Sequence, residues 1–255
     1  MKYTDAFSLD GEVALITGGG TGIGKAIAGA FLAAGAGKVV LAARREDVLR
    51  KAAGELGPRA AWRLHDVTDA ASAEGMIASA EAEHGPITIL VNNAGSTIKK
   101  PTEEMTEAEF RQVLDVHVMG AFAVSRQVAR GMLERGRGSM VFIASMASLF
   151  GIPYVAGYTA AKSACLGLVR ALATEWSGRG VRVNAIAPGW IRTELLQLTV
   201  DKDPERKAKV LARTPMKAMG QPEDIGWAAV YLCSPAARFV TGACLVVDGG
   251  ISIGF

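Results

Sequence analysis

Short apolar runs alternate along the chain with longer mixed segments, and each run ends in a polar or glycine-rich turn. Residues 12–17 (EVALIT) read as a buried strand, broken by the glycines of 18–24. Residues 25–34 have helical composition, closed by Gly35-Ala36-Gly37, and 38–43 (KVVLAA) form a second buried strand. Strand, glycine turn, helix and strand make a βαβ unit with a crossover of workable length. The alternation continues with a helix over 45–56, a strand over 60–65, a helix over 70–83 and a strand over 87–91. Thr106 and Glu109 have capping-box spacing and open a long helix reaching about residue 134. A strand at 139–143, a helix at 158–176 and a strand at 181–186 follow. A polar helical flap within 194–213, a helix from 222 to 232 and a strand at 243–247 complete the pattern. Seven apolar strands alternating with helices predict an α/β fold, one doubly wound, seven-stranded parallel sheet in a single domain spanning 1–255.

Such sheets take ligands at the C-terminal ends of their strands. Here those ends carry the glycine turn, Ala43-Arg44, Asp66, Asn93-Ala94-Gly95, Ser145 and Pro188-Gly189. That recurrence at one edge weighs more than any single motif.

Composition narrows the class. Half of the 255 residues are hydrophobic and 30 are glycine, which suits a compact core with many tight turns. The net charge of +3 is dispersed, so no nucleic-acid partner is expected. Cys165, Cys233 and Cys244 lie among apolar neighbours without CxxC spacing, as buried reduced thiols of a cytoplasmic protein would. The first residues include acids and no apolar core of a signal peptide, and no 18-residue apolar run predicts a membrane span. No His, Cys, Asp and Glu set has metal-ligand spacing, so no catalytic metal is expected; His65 and His84 have no such context.

Two constellations carry chemistry. Gly18, Gly22 and Gly24 lie between a strand and a helix, where glycine lets backbone approach a pyrophosphate and the helix N-terminus favours its charge. Twenty residues beyond Gly24, where a ribose-binding acid often stands, the chain has Arg44 and Arg45. An acid would repel a 2′-phosphate and a guanidinium can hold one, so NADP(H) is favoured, with NAD(H) possible. The alternative is two arginines that merely start a solvated helix beside Glu46 and Asp47. The second constellation is Ser145, Tyr158 and Lys162. Tyr158 and Lys162 are one helical turn apart, and Ser145 ends a strand thirteen positions earlier. A free phenol titrates near ~10, and an ammonium beside it favours the phenolate, as a general acid/base at neutral pH requires. Tyr158 and Lys162 as an ordinary surface pair is the plain alternative.

From about Leu9 to Gly250 the sequence resembles the short-chain dehydrogenase/reductase family. The resemblance is carried by TGGGTGIG (17–24), DV (66–67), NNAG (92–95), the Ser145, Tyr158 and Lys162 spacing, NAIAPGWIRT (184–193) and VDGG (247–250). It implies a Rossmann-type fold and hydride transfer between a nicotinamide and a secondary alcohol or ketone. It also implies that Gly18, Thr21, Gly22, Ile23 and Gly24 hold the dinucleotide, that Asp66 and Val67 flank its adenine, and that Asn93, Ala94 and Gly95 line its ribose side. Pro188, Gly189, Ile191 and Thr193 are implied at the nicotinamide end. Tyr158 would act as general acid/base, Lys162 would hold ribose hydroxyls and steady the phenolate, and Ser145 would hydrogen-bond the substrate oxygen. The family is commonly tetrameric, which points to a homotetramer; Leu166, Leu168, Val169 and residues 251–255 are candidate contacts, with core packing the alternative on the helix.

His117 departs from the family, which usually has an asparagine there that holds a water linked to the lysine in a proton relay. Imidazole can both accept and donate, so His117 is a candidate catalytic residue; filling space with the relay rerouted, or a damaged site, are the alternatives. If charged, it would add a second cation near Lys162.

Substrate choice falls to loops 96–100, 146–154 and 190–213. Lys99 and Lys100 offer charge for a carboxylate or phosphate, with exposed lysines of no specific role the plain and more usual alternative, and Met146, Leu149, Phe150, Tyr154 and Trp190 offer an apolar wall. The phrases IASMASLFGIPYV and NAIAPGWIRTE are most similar to the family's sugar and sugar-acid branch, such as gluconate 5-dehydrogenases and 2-deoxygluconate dehydrogenases. The expected partner is therefore a small carbonyl or alcohol substrate. The alternatives are a 3-oxoacyl-carrier-protein reductase and a catalytically impaired dinucleotide-sensing protein.

Overall fold

The computed structural model describes residues 3–193 and 203–254. The strands are β1 (Val13–Thr17), β2 (Lys38–Ala43), β3 (Ala60–Leu64), β4 (Ile89–Asn92), β5 (Gly138–Ile143), β6 (Val181–Pro188) and β7 (Cys244–Val247). They form one sheet in the order β3-β2-β1-β4-β5-β6-β7, and every pairing is parallel. The runs are apolar throughout, without alternation, because both faces of the sheet are buried. In β1, Val13 and Leu15 enter one core while Ala14 and Ile16 enter the other. The first core packs on helices α4 (Ala73–His84), α6 (Ala121–Arg135) and α7 (Ala156–Trp176) through residues such as Ile77, Val128, Met132 and Leu172. The second packs on α2 (Gly22–Ala33), α3 (Glu46–Leu56) and the helix Pro222–Cys233 through Ile27, Phe31, Leu49 and Ile225. From β1 the chain winds outward to β3, then returns to place β4 on the other flank of β1. The direction of winding reverses there, and a crevice opens beyond the C-terminal ends of β1 and β4.

Three elements differ from the sequence pattern. The long helix is not uniform: α5 (Glu107–Leu114) runs into a π-helical turn at Asp115–Gly120 and then into α6. Its start is as expected, with Glu109 N donating to Thr106 Oγ1 at 3.2 Å and Thr106 N to Glu109 Oε2 at 2.9 Å. The wider turn lies against the loop after β3. A Cβ at Gly120 would stand 2.7 Å from the Val67 carbonyl oxygen, so only glycine lets the two backbones meet. Secondly, α7 begins at Ala156, ahead of Tyr158, which puts Tyr158 inside the first turn. Thirdly, a short helix α1 (Tyr3–Ala6) precedes β1, in a stretch too brief and polar to show periodicity. Of the expected flap, Pro204–Arg213 is helical; residues 194–202 lie outside the described residues.

Candidate active site

The floor of the crevice is held by two side chains. Thr17, the last residue of β1, accepts at Oγ1 from the backbone N–H of Asn93 and of Ala94, both at 3.1 Å, and donates to Val91 O at 3.3 Å. Asn93 Nδ2 returns two bonds, to Thr17 O at 3.0 Å and Gly18 O at 3.1 Å. The glycine turn is thereby fixed to the end of β4. Gly18 has φ +65 and Gly22 φ +53, left-handed values that glycine adopts without strain. A Cβ at Gly24 would lie 2.5 Å from both Asn93 Nδ2 and the Gly18 carbonyl. Thr21 precedes α2 without capping it by its side chain, so the first backbone N–H groups of α2 remain available to an anion. Ile23 packs back on the core. Thr193 comes over this turn: its Cγ2 lies 3.3 Å from the Cβ position of Gly22. The segment from Pro188 to Thr193 is set by Gly189 against Asp248 and by Ile191, which pairs with Gly220. An uncapped helix end, glycines where a Cβ would clash and a lid at Thr193 suit a dinucleotide.

At the neighbouring edge, Arg44 and Arg45 are exposed at the end of β2, and Arg44 Nη1 lies 3.7 Å from Asp66 Oδ2. Burial raises the Asp66 pKa, but two hydrogen bonds from Thr68 and the charge of Arg44 outweigh it and leave the carboxyl below its ordinary value. Asp66 is ionised, and Val67 beside it is buried against Gly120.

Ser145, Tyr158 and Lys162 come together at the end of β5. Lys162 is buried on α7, and its Nζ donates to the Ile143 carbonyl at the end of that strand. Ser148 Oγ donates to Lys162 O at 2.8 Å, tying the turn after Ser145 to α7. Ser145 Oγ accepts from Ala147 N at 3.1 Å, which leaves its own hydrogen free to donate. The Lys162 ammonium lies 5.6 Å from the centroid of the Tyr158 ring. His117 meets the same ring edge-on, with centroids 5.3 Å apart and planes at 81°. Tyr158 thus has both an ammonium and an imidazole beside its ring, and is itself partly exposed.

His117 lies in the π-helical turn and is 3% exposed. Its Nε2 is 2.7 Å from the Ser96 carbonyl, which calls for a proton on that nitrogen; the Ser96 N–H is farther, at 3.2 Å. Nδ1 is then an acceptor, and it is buried without a partner. Burial first, and then the Lys162 charge, push the His117 pKa down to about 3. The imidazole is then neutral near pH 7, so the condition for a second cation beside Lys162 is not met. A cavity of about 10 Å³ lies among Thr17, Asn92, Ala94, His117, Cys165 and Lys162, the size at which one water fits. Asn92 donates through Nδ2 to Ser125 Oγ at 2.8 Å, and its Oδ1 is a second buried acceptor without a partner.

The two substrate loops are joined by Lys100 N donating to Tyr154 O at 2.9 Å. Lys100 itself is spent on Glu109, with both carboxylate oxygens at 3.0 Å, so it does not offer the open charge for a substrate anion that was one of its two readings. Lys99, Leu149 and Tyr154 are exposed, and Met146 is buried. Thr17, Asn92, Ser96, Gly120 and Asp248 are site-forming residues that motif reading did not assign a role. Thr17, Asn92 and Asp248 stood inside recognised phrases and Ser96 in an expected substrate loop, whereas Gly120 had no local signal. Among the described residues, no group of three His, Cys, Asp or Glu side chains could hold a metal ion, and no helix is long and apolar enough to cross a membrane.

A dinucleotide crevice beside a serine, a tyrosine and a lysine defines an oxidoreductase that interconverts CH–OH and C=O with a nicotinamide cofactor. The chain belongs to the short-chain dehydrogenase/reductase family, and a family model described as Enoyl-(Acyl carrier protein) reductase matches residues 18–252. It is 45% identical to the galactitol 2-dehydrogenase (L-tagatose-forming) of Cereibacter sphaeroides, covering 99% of this chain and 100% of that one. To the gluconate 5-dehydrogenase of Gluconobacter oxydans it is 39% identical, with 99% of each chain covered. The crystal structure of a gluconate 5-dehydrogenase from Burkholderia cenocepacia J2315, in complex with NADP and tartrate, matches at TM-score 0.94 and 35% identity over 99% of each chain.

Proposed function

We propose that this enzyme is an NADP(H)-preferring dehydrogenase that interconverts a secondary alcohol and a ketone on a sugar, polyol or sugar acid. The observation that carries the reading is the Tyr158 ring lying close to both Lys162 and His117, with Lys162 bonded to the strand end that leads into Ser145. The cofactor, when bound, supplies or accepts the hydride. Glycines 18, 22 and 24 with the N-terminus of α2 hold its pyrophosphate, Asp66 and Val67 its adenine side, Asn93, Ala94 and Gly95 its ribose side, and Pro188, Gly189, Ile191 and Thr193 its nicotinamide end. Arg44 and Arg45, exposed where an acid would select NAD(H), bind the 2′-phosphate.

In reduction, Ser145 donates to the substrate oxygen through the hydrogen that its bond to Ala147 leaves free. Tyr158 gives its phenolic proton to that oxygen as charge develops there. Lys162 stabilises the resulting phenolate and passes a proton toward it. The water-sized cavity is lined by both Lys162 and His117, so a water there would donate to His117 Nδ1 and stand beside the Lys162 ammonium, the imidazole positioning that water in place of the family's asparagine. Oxidation runs the same steps backward.

The named relatives act on a polyol and a sugar acid, which supports a polyhydroxylated substrate. Three free cysteines support a reducing, cytoplasmic setting. A homotetramer remains the expected assembly, with a correction to its contacts: Leu166 and Val169 are buried in the core, whereas Met119, Phe122, Val246 and Ile253 are exposed. Residue 255 lies outside the described residues. The test is steady-state turnover over a panel of sugars, polyols and keto acids with NADPH and with NADH. Reduction of 5-ketogluconate or a ketose, faster with NADPH, is expected. Turnover of acetoacetyl thioesters alone would identify a 3-oxoacyl-carrier-protein reductase, and cofactor binding without any turnover a sensor.

A further inference from the structure

Two segments expected from the sequence to shape substrate choice, 146–154 and 190–213, meet at one contact. Arg213 ends the helix Pro204–Arg213, and its guanidinium carbon lies over the Phe150 ring, 4.8 Å from the centroid. Phe150 belongs to the tight turn that leaves Ser145: Ser148 N donates to Ser145 O at 2.9 Å, and Leu149 N and Phe150 N donate to Met146 O at 2.9 and 3.2 Å. A turn of this kind advances about 2 Å per residue, so Phe150 stands within roughly 10 Å of Ser145. The guanidinium is thus held against the turn that leads out of Ser145.

Arg213 is presented from a fixed base. The next residue, Thr214, is buried, and its hydroxyl donates to Val210 O at 2.8 Å. Pro215 rests on Gly250 and Gly254, where an added Cβ would come within 2.9 Å of its ring. Met216 N donates to Gly249 O at 3.1 Å. Asp248 organises that segment, accepting from Gly250 N at 2.8 Å and Ser252 N at 2.9 Å, and it abuts Gly189 at the end of β6. The arginine is tied to the end of β6 through the 248–254 segment, which abuts Gly189.

Among the described residues its charge also has no acidic partner. Lys100 is neutralised by Glu109, whereas among the described residues no carboxylate is within salt-bridge distance of Arg213. Packing on an aromatic face engages the flat face of a guanidinium and leaves its in-plane N–H donors for a carboxylate fork. We infer that Arg213, braced by Phe150, is the specificity residue that reads the terminal carboxylate of a sugar-acid substrate. The inference rests on the sugar-directed reading of the site and sharpens it, favouring aldonates over neutral polyols.

The test compares D-gluconate with its neutral counterpart D-glucitol in wild type, Arg213→Gln, Arg213→Lys and Phe150→Leu. Arg213→Gln should raise the KM for gluconate roughly 10- to 100-fold with kcat little changed, as expected for loss of a charged hydrogen-bonding group. The preference for gluconate over glucitol should collapse in step, and Arg213→Lys should restore part of it. Binding of gluconate to the NADP-loaded enzyme by calorimetry gives a readout apart from turnover, and should weaken by the same factor. Unchanged gluconate affinity in Arg213→Gln, an equal loss for both substrates, or no gluconate binding by wild type would overturn the assignment. In that last case, turnover of a neutral polyol would leave the wider sugar function standing. Conversely, Arg213-dependent gluconate binding without turnover of any sugar would uphold Arg213 and reject the catalytic reading.

Discussion

His117 shows how much a single side chain depends on its surroundings. In water an imidazole titrates close to neutrality, but here burial and the neighbouring ammonium hold it neutral, at a pKa of about 3. Its ring has one neighbour that cannot grow. A Cβ at Gly95 would lie 2.5 Å from His117 Cε1, and all three closest atoms belong to the imidazole. Gly95→Ala should therefore displace the ring and lower activity, at a stability cost of about 1–3 kcal/mol for overpacking. In a His117→Ala background the added methyl has room, so the stability penalty should shrink; a double-mutant cycle by denaturant unfolding reads this coupling. Equal penalties in both backgrounds would mean that Gly95 is kept for another reason. Ser145, Tyr158 and Lys162 were legible in the sequence because their spacing carries their chemistry. Thr17 and Ser96 were not, since Thr17 acts on partners 74 to 77 residues away and Ser96 on one 21 residues away.

At the scale of the element, the π-helical turn between α5 and α6 delivers His117 to Tyr158. The apolar pattern of 106–134 reads as one continuous helix, because one wider turn barely changes the periodicity. Nothing local marked Gly120, because its partner, Val67, lies beyond two helices and a strand in sequence. The turn also couples folding to pH. His117 has a folded pKa of about 3, below the 6.5 of the free group. The folded state excludes a proton that the unfolded chain binds. Stability from this group is therefore full above pH 6.5 and is lost as pH falls toward about 3, with a limiting slope of about 1.4 kcal/mol per pH unit. His65 and His84 are also lowered by burial and act in the same direction, so the variant matters more than the wild-type curve. Denaturant unfolding between pH 7.5 and 4.5 should show wild type losing stability relative to His117→Asn as pH drops. Parallel curves would show that the imidazole is not held neutral.

For the whole molecule, the sheet gathers the site. The reversal of winding at β1 puts the glycine turn and Asn93 at one crevice, and β5 and β6 bring Ser145 and the Pro188–Thr193 segment alongside. The class of fold and all seven strands were legible, because apolar runs long enough to be buried on both faces leave few other architectures. The order of strands is a property of how crossovers pack, and no local run encodes it. Likewise, the contact of Arg213 with Phe150 joins two regions that sequence could only name as loops. Both cores converge on one end of the sheet and leave Tyr158 partly open there, with Lys162 buried behind it. The account stands on Tyr158 as the group that moves the proton. The most direct measurement is ketone reduction by Tyr158→Phe, followed through NADPH absorbance, with NADPH binding measured on the same preparation. Loss of the phenolic proton donor should lower kcat by about 10²- to 10⁴-fold while cofactor affinity stays within a few-fold of wild type. A variant that binds NADPH and keeps its kcat would contradict the assignment.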